Sequence, residues 1–238
     1  MEYMLTQDNL NKWIKPFAEI RDSKPVHTIC RKQKEICKEK PATECIIHHP
    51  GFMRDKLFWC FFIIAEGLDN YEEAKEKTFR RENDFKYKSV DKIKEKIAVL
   101  KTIKLKSSEI ESELVTAKYI SISVLHALAV AYNKSIIYMN DRIYYDFCYG
   151  EEYFLIERKE DDIFLHTGDV KDKIGKIRDT LLNIDNVKAK PINSMSFYTA
   201  KDLHSIADKL NIEKMLDGKP LTKPLLYAEI VIKIGKLT

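Results

Sequence analysis

Nothing in the chain approaches the roughly 20 consecutive apolar residues that a membrane-spanning helix needs. The most hydrophobic stretch, residues 57–64, has eight. Glycine-rich loops of the GxGxxG or GxxxxGK[ST] type are absent, as is HExxH, so nucleotide phosphate cradles and zincin-type metal sites have no sequence support. Cysteine is limited to five residues, an odd number that argues against a complete disulfide framework and for a reducing compartment. Excess charge is small: 41 basic against 37 acidic residues leave a net +4. That balance defines no nucleic-acid partner by itself, yet accommodates one where basic residues gather. Residues 1–14 carry Glu2, Asp8 and Lys12 and no continuous apolar core, which predicts no secretory leader.

What is present is the composition of a folded chain. With 45% hydrophobic and 11% aromatic residues, and only 7 Gly and 7 Pro among 238, the chain is too apolar for disorder and long enough for one sizeable core plus an appendage. The run Leu-Phe-Trp-Cys-Phe-Phe-Ile-Ile at 57–64, entered through Arg54-Asp55-Lys56 and left through Ala65-Glu66-Gly67, predicts a helix buried on nearly every side, with Cys60 inside it.

Before that run, Asp8 can cap a short helix and residues 31–40 read as a charged helix stopped by Pro41. After it, 70–82 reads as a charged helix with Tyr71, Ala74 and Phe79 on one side. Ser89 then caps a helix bearing Val90, Ile93, Ile97 and Leu100, whose lysine-rich outer face is that of a solvated helix. Ser108 and Glu111 form a capping-box pattern, and a helix runs on or restarts through 124–132, with His126 on it.

Strand signals follow: 136–139 and 143–147 around Asn140-Asp141, then 153–157 and 163–166 around 159–162, two hairpins. A helix over 170–184 carries Ile174, Ile177, Leu181 and Ile184 on one face. The prediction is an α+β fold: a helical first half packed on a small antiparallel sheet of about four strands, plus a small all-α C-terminal module. The boundaries read as an N-terminal subregion (1–54), an α+β body (55–190) and, after a linker around Pro191, the helical module (197–238).

In that last stretch Thr199 caps a helix bearing Leu203, Ile206, Ala207 and Leu210, and Asn211 ends it. Thr222 caps a second helix with Pro224 in its first turn and Leu225, Leu226, Ile230 and Ile234 along it. Residues Tyr198 to Ile212, Gly218-Lys219 and Leu221 to Ile230 resemble the SAP-type helix-loop-helix module. That resemblance implies contact with DNA phosphate through Lys201, Lys219 and Lys223. Such contacts are physically reasonable, since helix N-termini and lysines both attract phosphate oxygens.

The middle of the chain resembles, loosely, the papain-type cysteine peptidases and among them the ovarian-tumour (OTU) deubiquitinases. The residues that carry this are Cys60 in the buried run, Leu128-Ala129 leading into Ile136-Ile137-Tyr138, and His166 after Ile163-Phe164-Leu165. The resemblance implies a Cys60 nucleophile, a His166 base and an orienting carboxylate, Asp169 or Asp146, with a ubiquitin-like protein as substrate. The chain departs from that pattern. Only Asp55 precedes Phe58-Trp59-Cys60, no glycine opens an oxyanion loop, and Thr167-Gly168 follow the histidine. The aromatic neighbours bury Cys60 and push its pKa up.

His27 and Cys30, with Cys45 and His48, form the one set of residues with a spacing open to zinc, yet it matches no established zinc pattern. Ordinary core cysteines and surface histidines are the favoured account, and no cofactor is expected. Residues 55–64 with Tyr144-Tyr145, joined to the tail at 198–234, resemble proteins of large nucleocytoplasmic DNA viruses. The resemblance implies a host cytoplasmic factory or the virion as setting. The sequence therefore points to a non-catalytic binding protein, with DNA, a DNA-bound partner or other virion proteins as ligand and no membrane. A cysteine hydrolase and a structural virion protein are the alternatives.

Overall fold

The computed structural model describes residues 45–51, 53–185, 192–216 and 219–237. The helices predicted after Asp8 and over 31–40, together with His27 and Cys30, lie outside the described residues.

The hydrophobic run is a helix, α1 (Lys56–Glu66), and its limits follow from its flanks. Asp55 Oδ1 accepts the Phe58 amide at 3.0 Å, satisfying one of the donors a helix start leaves open. At the other end Gly67, at φ 90°, donates to the Ile63 carbonyl at 2.9 Å and turns the chain out. All eight residues from Leu57 to Ile64 are buried. Burying each large side chain contributes about 1.5–3 kcal/mol, so this one helix supplies much of the core's driving force.

Around α1 the chain wraps α2 (Leu68–Ala74), α3 (Thr78–Glu95), α4 (Ile97–Thr102), α5 (Ser107–Thr116) and α6 (Ile122–Ala131). Phe85 of α3 meets Phe58 and Phe62 edge-on, and Tyr132 beyond α6 meets Phe61 in the same way. The second oxygen of Asp55 accepts the Ile120 amide at 2.7 Å, so one carboxylate caps α1 and ties it to the approach of α6.

Local details differ from expectation. Ser89 caps nothing; it lies inside α3, where its hydroxyl donates to the Phe85 carbonyl at 2.7 Å. A mid-helix serine has this option of bonding backward, so the capping signal at Ser89 was ambiguous. Phe79, expected beside Tyr71 and Ala74, points to solvent. The start of α5 is Ser107 rather than Ser108, with the Ser107 hydroxyl bonded to Glu111.

Six strands form one sheet in the order β1-β5-β4-β2-β3-β6: β1 (Ile46–His48), β2 (Ser135–Asn140), β3 (Ile143–Phe147), β4 (Tyr153–Lys159), β5 (Asp162–Thr167) and β6 (Leu182–Asn183). The two predicted hairpins, β2–β3 and β4–β5, are present. They join through a parallel β2–β4 pairing, so the sheet is mixed rather than antiparallel. The fold is α+β.

Alternation gives the sheet two apolar faces. One carries Ile136, Tyr138, Ile143, Tyr145, Phe154, Ile156 and Leu165 against the α1 core. The other carries Ile137, Tyr144 and Leu155 under Ile174 and Ile177 of α7 (Lys171–Thr180). Continuous burial on both faces explains why β2 reads as an unbroken apolar run rather than an alternating one.

The C-terminal helix pair follows its sequence signals closely. Thr199 and Asp202 form a reciprocal capping box at the start of α8 (Ala200–Lys209), and Asn211 takes φ 52° just beyond its end. A short hairpin of β7 (Met215–Leu216) and β8 (Lys219–Pro220) precedes α9 (Lys223–Gly235). Thr222 stands at the cap position of α9, without a side-chain bond, and Pro224 lies in the first turn. Leu203, Ala207 and Leu210 of the first helix region pack with Leu226, Ile230 and Ile234 in the same core as α1. Asn140 at the end of β2 donates to the Leu237 carbonyl at 2.6 Å, fastening the tail to the body. The described residues belong to one compact unit.

Candidate functional site

Cys60 and His166 are not brought together. Cys60 is completely buried in α1, among the residues that pack on the Leu165 face of the sheet. His166 is the next residue along β5, so its side chain projects to the opposite face. Its register confirms the side: it pairs with Leu155, which belongs to the α7-covered cluster. Burial pushes the Cys60 thiol far above its ordinary range, with the nearby Asp55 charge acting the same way. A thiol in that state is a small hydrophobe, not a nucleophile.

The other residue expected at this dyad is also elsewhere. Asp169 is exposed and its Oδ1 accepts the Lys171 amide at 3.2 Å at the start of α7. Asp146, the alternative, is paired with Arg178 at 2.7 Å.

His166 has different partners. Its Nε2 lies 2.9 Å from Glu157 Oε2, and its Nδ1 lies 3.3 Å from Lys173 Nζ and 4.0 Å from Cys45 Sγ. Lys173 Nζ is also 3.3 Å from Cys45 Sγ. Each residue reaches this point by simple register. Ile47 of β1 pairs with His166, so Cys45, two residues earlier, lies on the same face. Glu157 pairs with Phe164, two residues from His166 on β5, and is its diagonal neighbour. Lys173 comes down from the first turn of α7.

The proton positions follow from the partners. An ammonium can only donate, so Nδ1 presents its lone pair to Lys173 and Cys45, and Nε2 carries the hydrogen given to Glu157. Burial lowers the His166 pKa below 6.5; the hydrogen bond and charge of Glu157 work against this, while Lys173 and Lys159 reinforce it. Lys159 in turn holds the other Glu157 oxygen at 3.1 Å.

The sequence passed over Cys45 and Glu157 in this role. Glu157 was within reach of it: the hairpin closed at Lys159 and Asp162 already puts Glu157 and His166 on one face. Cys45 was not, because the pairing that delivers it spans 121 residues. Cys45, just before β1, and His48, at its end, are joined in the zinc set but make contacts in different places. Cys45 meets His166, whereas His48 Nε2 bonds to Thr167 Oγ1 at 3.0 Å. The described residues contain no group of three His, Cys, Asp or Glu suited to a metal ion.

At the tail, Asp202 accepts from the Thr199 amide at 2.8 Å and the Thr199 hydroxyl at 2.7 Å. These bonds, aided by the charges of Lys201 and Lys223, hold its carboxyl below the usual range. Lys223 opens α9, and its charge reaches Asp202 together with that of Lys201. Lys201 is exposed and Lys223 half-buried. Lys219 opens β8, with its backbone paired to Leu216.

The chain matches no protein-family model, no curated protein and no solved structure. Among the described residues, no helix is long and apolar enough to cross a membrane.

Proposed function

We propose that the chain is a binding protein whose C-terminal helix pair contacts DNA, or a DNA-bound partner, in a viral factory or virion. One observation carries this reading: Lys201 and Lys223, in the first turns of α8 and α9, both place positive charge at Asp202 in the cap that opens α8. Two helix N-termini offer open backbone donors and a positive dipole end, and two lysines add mobile cations, the chemistry that attracts phosphate oxygens. Asp202 opposes this field, but its carboxylate is occupied by the Thr199 cap.

The test is fluorescence anisotropy of a labelled DNA duplex with the full chain over a salt series. Full-length protein is needed because the helix pair shares the body's core. Reversing both charges, Lys201→Glu with Lys223→Glu, is expected to weaken binding at every sequence and to flatten the salt dependence by about one unit of slope per lost phosphate contact. Unchanged affinity and slope would remove this reading.

A second reading is favoured by the outer side of α9, where Leu225 and Ile232 are each 51% exposed. There the module docks on a virion protein instead. Leu225→Lys would then abolish association while the lysine reversals leave it intact.

A further inference from the structure

We infer that Cys45 is an acyl-acceptor site, a thiol that takes an acyl group from a thioester donor, with His166 as its base, Glu157 as the positioning residue and Lys173 as the cation beside the sulfur. The inference is independent of the tail and of DNA.

The geometry is that of an activated nucleophile. Cys45 is half-buried rather than sealed, in contrast to Cys60. Its sulfur is 4.0 Å from Nδ1, and the opposite ring nitrogen is anchored on Glu157 at 2.9 Å, which sets both the tautomer and the direction of the ring. Nucleophile, base and orienting carboxylate follow one another in contact, the arrangement that makes a weak nucleophile effective at neutral pH. Lys173 Nζ lies 3.3 Å from both sulfur and Nδ1 and can donate a hydrogen bond to either. When the proton moves, the thiolate faces the Lys173 ammonium and the imidazolium faces the Glu157 carboxylate, which offsets the repulsion between the imidazolium and Lys173.

The same geometry selects the donor class. His166 is 4% exposed, and Lys173 shares its Nδ1, so the ring is well placed to take the Cys45 proton but poorly placed to deliver one to a departing amine. Amides need that delivery. A thioester does not, because a thiolate leaves without being protonated first.

The step balances without oxidant or reductant. The S–H proton passes to Nδ1. The Cys45 thiolate adds to the donor carbonyl carbon, with the Lys173 ammonium beside the sulfur. A new S–C bond forms on Cys45, the donor C–S bond breaks, and the departing thiolate takes up the proton released by His166. The products are an S-acyl Cys45 and one free thiol.

The experiment uses the full chain and the S-acetyl thioester of N-acetylcysteamine, with acetylation of each cysteine followed by peptide mass spectrometry. Cys45 is expected to acquire one acetyl group, while Cys60 stays unmodified until urea is added. Lys173→Met, at an exposed position, is expected to slow acetylation of Cys45 and move its pH–rate midpoint upward. His166→Gln is expected to slow it by about a hundredfold, the lower range for a lost general base. Glu157→Gln is expected to move the midpoint of His166 on β5 downward, since Glu157 on β4 raises it against Lys159 on β4 and Lys173 on α7, with Cys45 just before β1 facing the same ring. An ordinary thiol would behave otherwise. If Cys45 reacts in Lys173→Met and Glu157→Gln at the native rate and with the native pH profile, the inference is overturned. It is equally overturned if iodoacetamide labels Cys45 while the thioester does not.

Discussion

Nε2 of His166 is held 2.9 Å from Oε2 of Glu157 by two strands whose register makes the residues diagonal neighbours. Lys173 occupies the other side of the ring at 3.3 Å. The imidazole is thus fixed at both nitrogens inside the α7-covered face, and the sheet separates it from the buried thiol of Cys60.

This environment has a consequence for acid stability. The folded state binds the His166 proton less readily than the unfolded chain, because burial holds the pKa below 6.5. Below that value the unfolded state carries more protons, so stability rises with pH across the interval. The contribution is complete above 6.5 and is lost as the pH falls through the lower folded value. Urea midpoints measured at successive pH values are expected to decline on the acid side. His166→Gln should flatten that part of the curve, and an unchanged curve would show that another group produces it.

Asp55 joins two elements through one side chain, accepting the Phe58 amide at 3.0 Å and the Ile120 amide at 2.7 Å. Asp55→Ala removes a helix cap, worth about 1 kcal/mol, and orphans a second buried donor, worth about 1–3 kcal/mol. The expected loss is therefore about 2–4 kcal/mol in urea unfolding. Asp55→Asn keeps one acceptor oxygen and should lose less. Equal losses for the two variants would mean that the bond kept by the asparagine oxygen contributes nothing.

Ser135 is fully buried and serves three partners around one turn. Its hydroxyl donates to the Gly150 carbonyl at 2.7 Å and accepts the Tyr149 and Gly150 amides at 2.9 and 2.8 Å. Ser135→Ala would leave two amides without that acceptor and is expected to cost about 2–4 kcal/mol. Gly150 closes the same turn so tightly that a Cβ there would overlap the Asn133 carbonyl oxygen. Gly150→Ala is expected to cost about 1–3 kcal/mol as that backbone shifts. Thermal unfolding of both variants checks this; a Gly150→Ala protein as stable as the native chain would show the turn to be compliant.

Local order was readable where neighbouring residues decide it. The α1 run, the Thr199 cap, the Asn211 stop and the two hairpins all rest on contacts within a few residues, and each is found where its residues predict. The ambiguous cases were also local. Ser89 and Ser108 carry the right side chain for a cap, but a serine inside a helix bonds backward just as readily, and only packing selects between the two.

By itself the sequence determined the apolar load of α1, the two hairpins, the capped helix pair of the tail and the α+β class. Hydrophobic spacing and capping chemistry are properties of adjacent residues. Tertiary structure alone decided which side of the sheet each reactive group occupies. A strand reverses its side chains at every residue, so Leu165 joins the Cys60 core and His166 turns away from it. The pairing of β1 with β5 then carries Cys45 across 121 residues to the histidine. That pairing is a long-range event with no local signature, and it gathers Cys45, Glu157, His166 and Lys173 on the face of the sheet opposite Cys60.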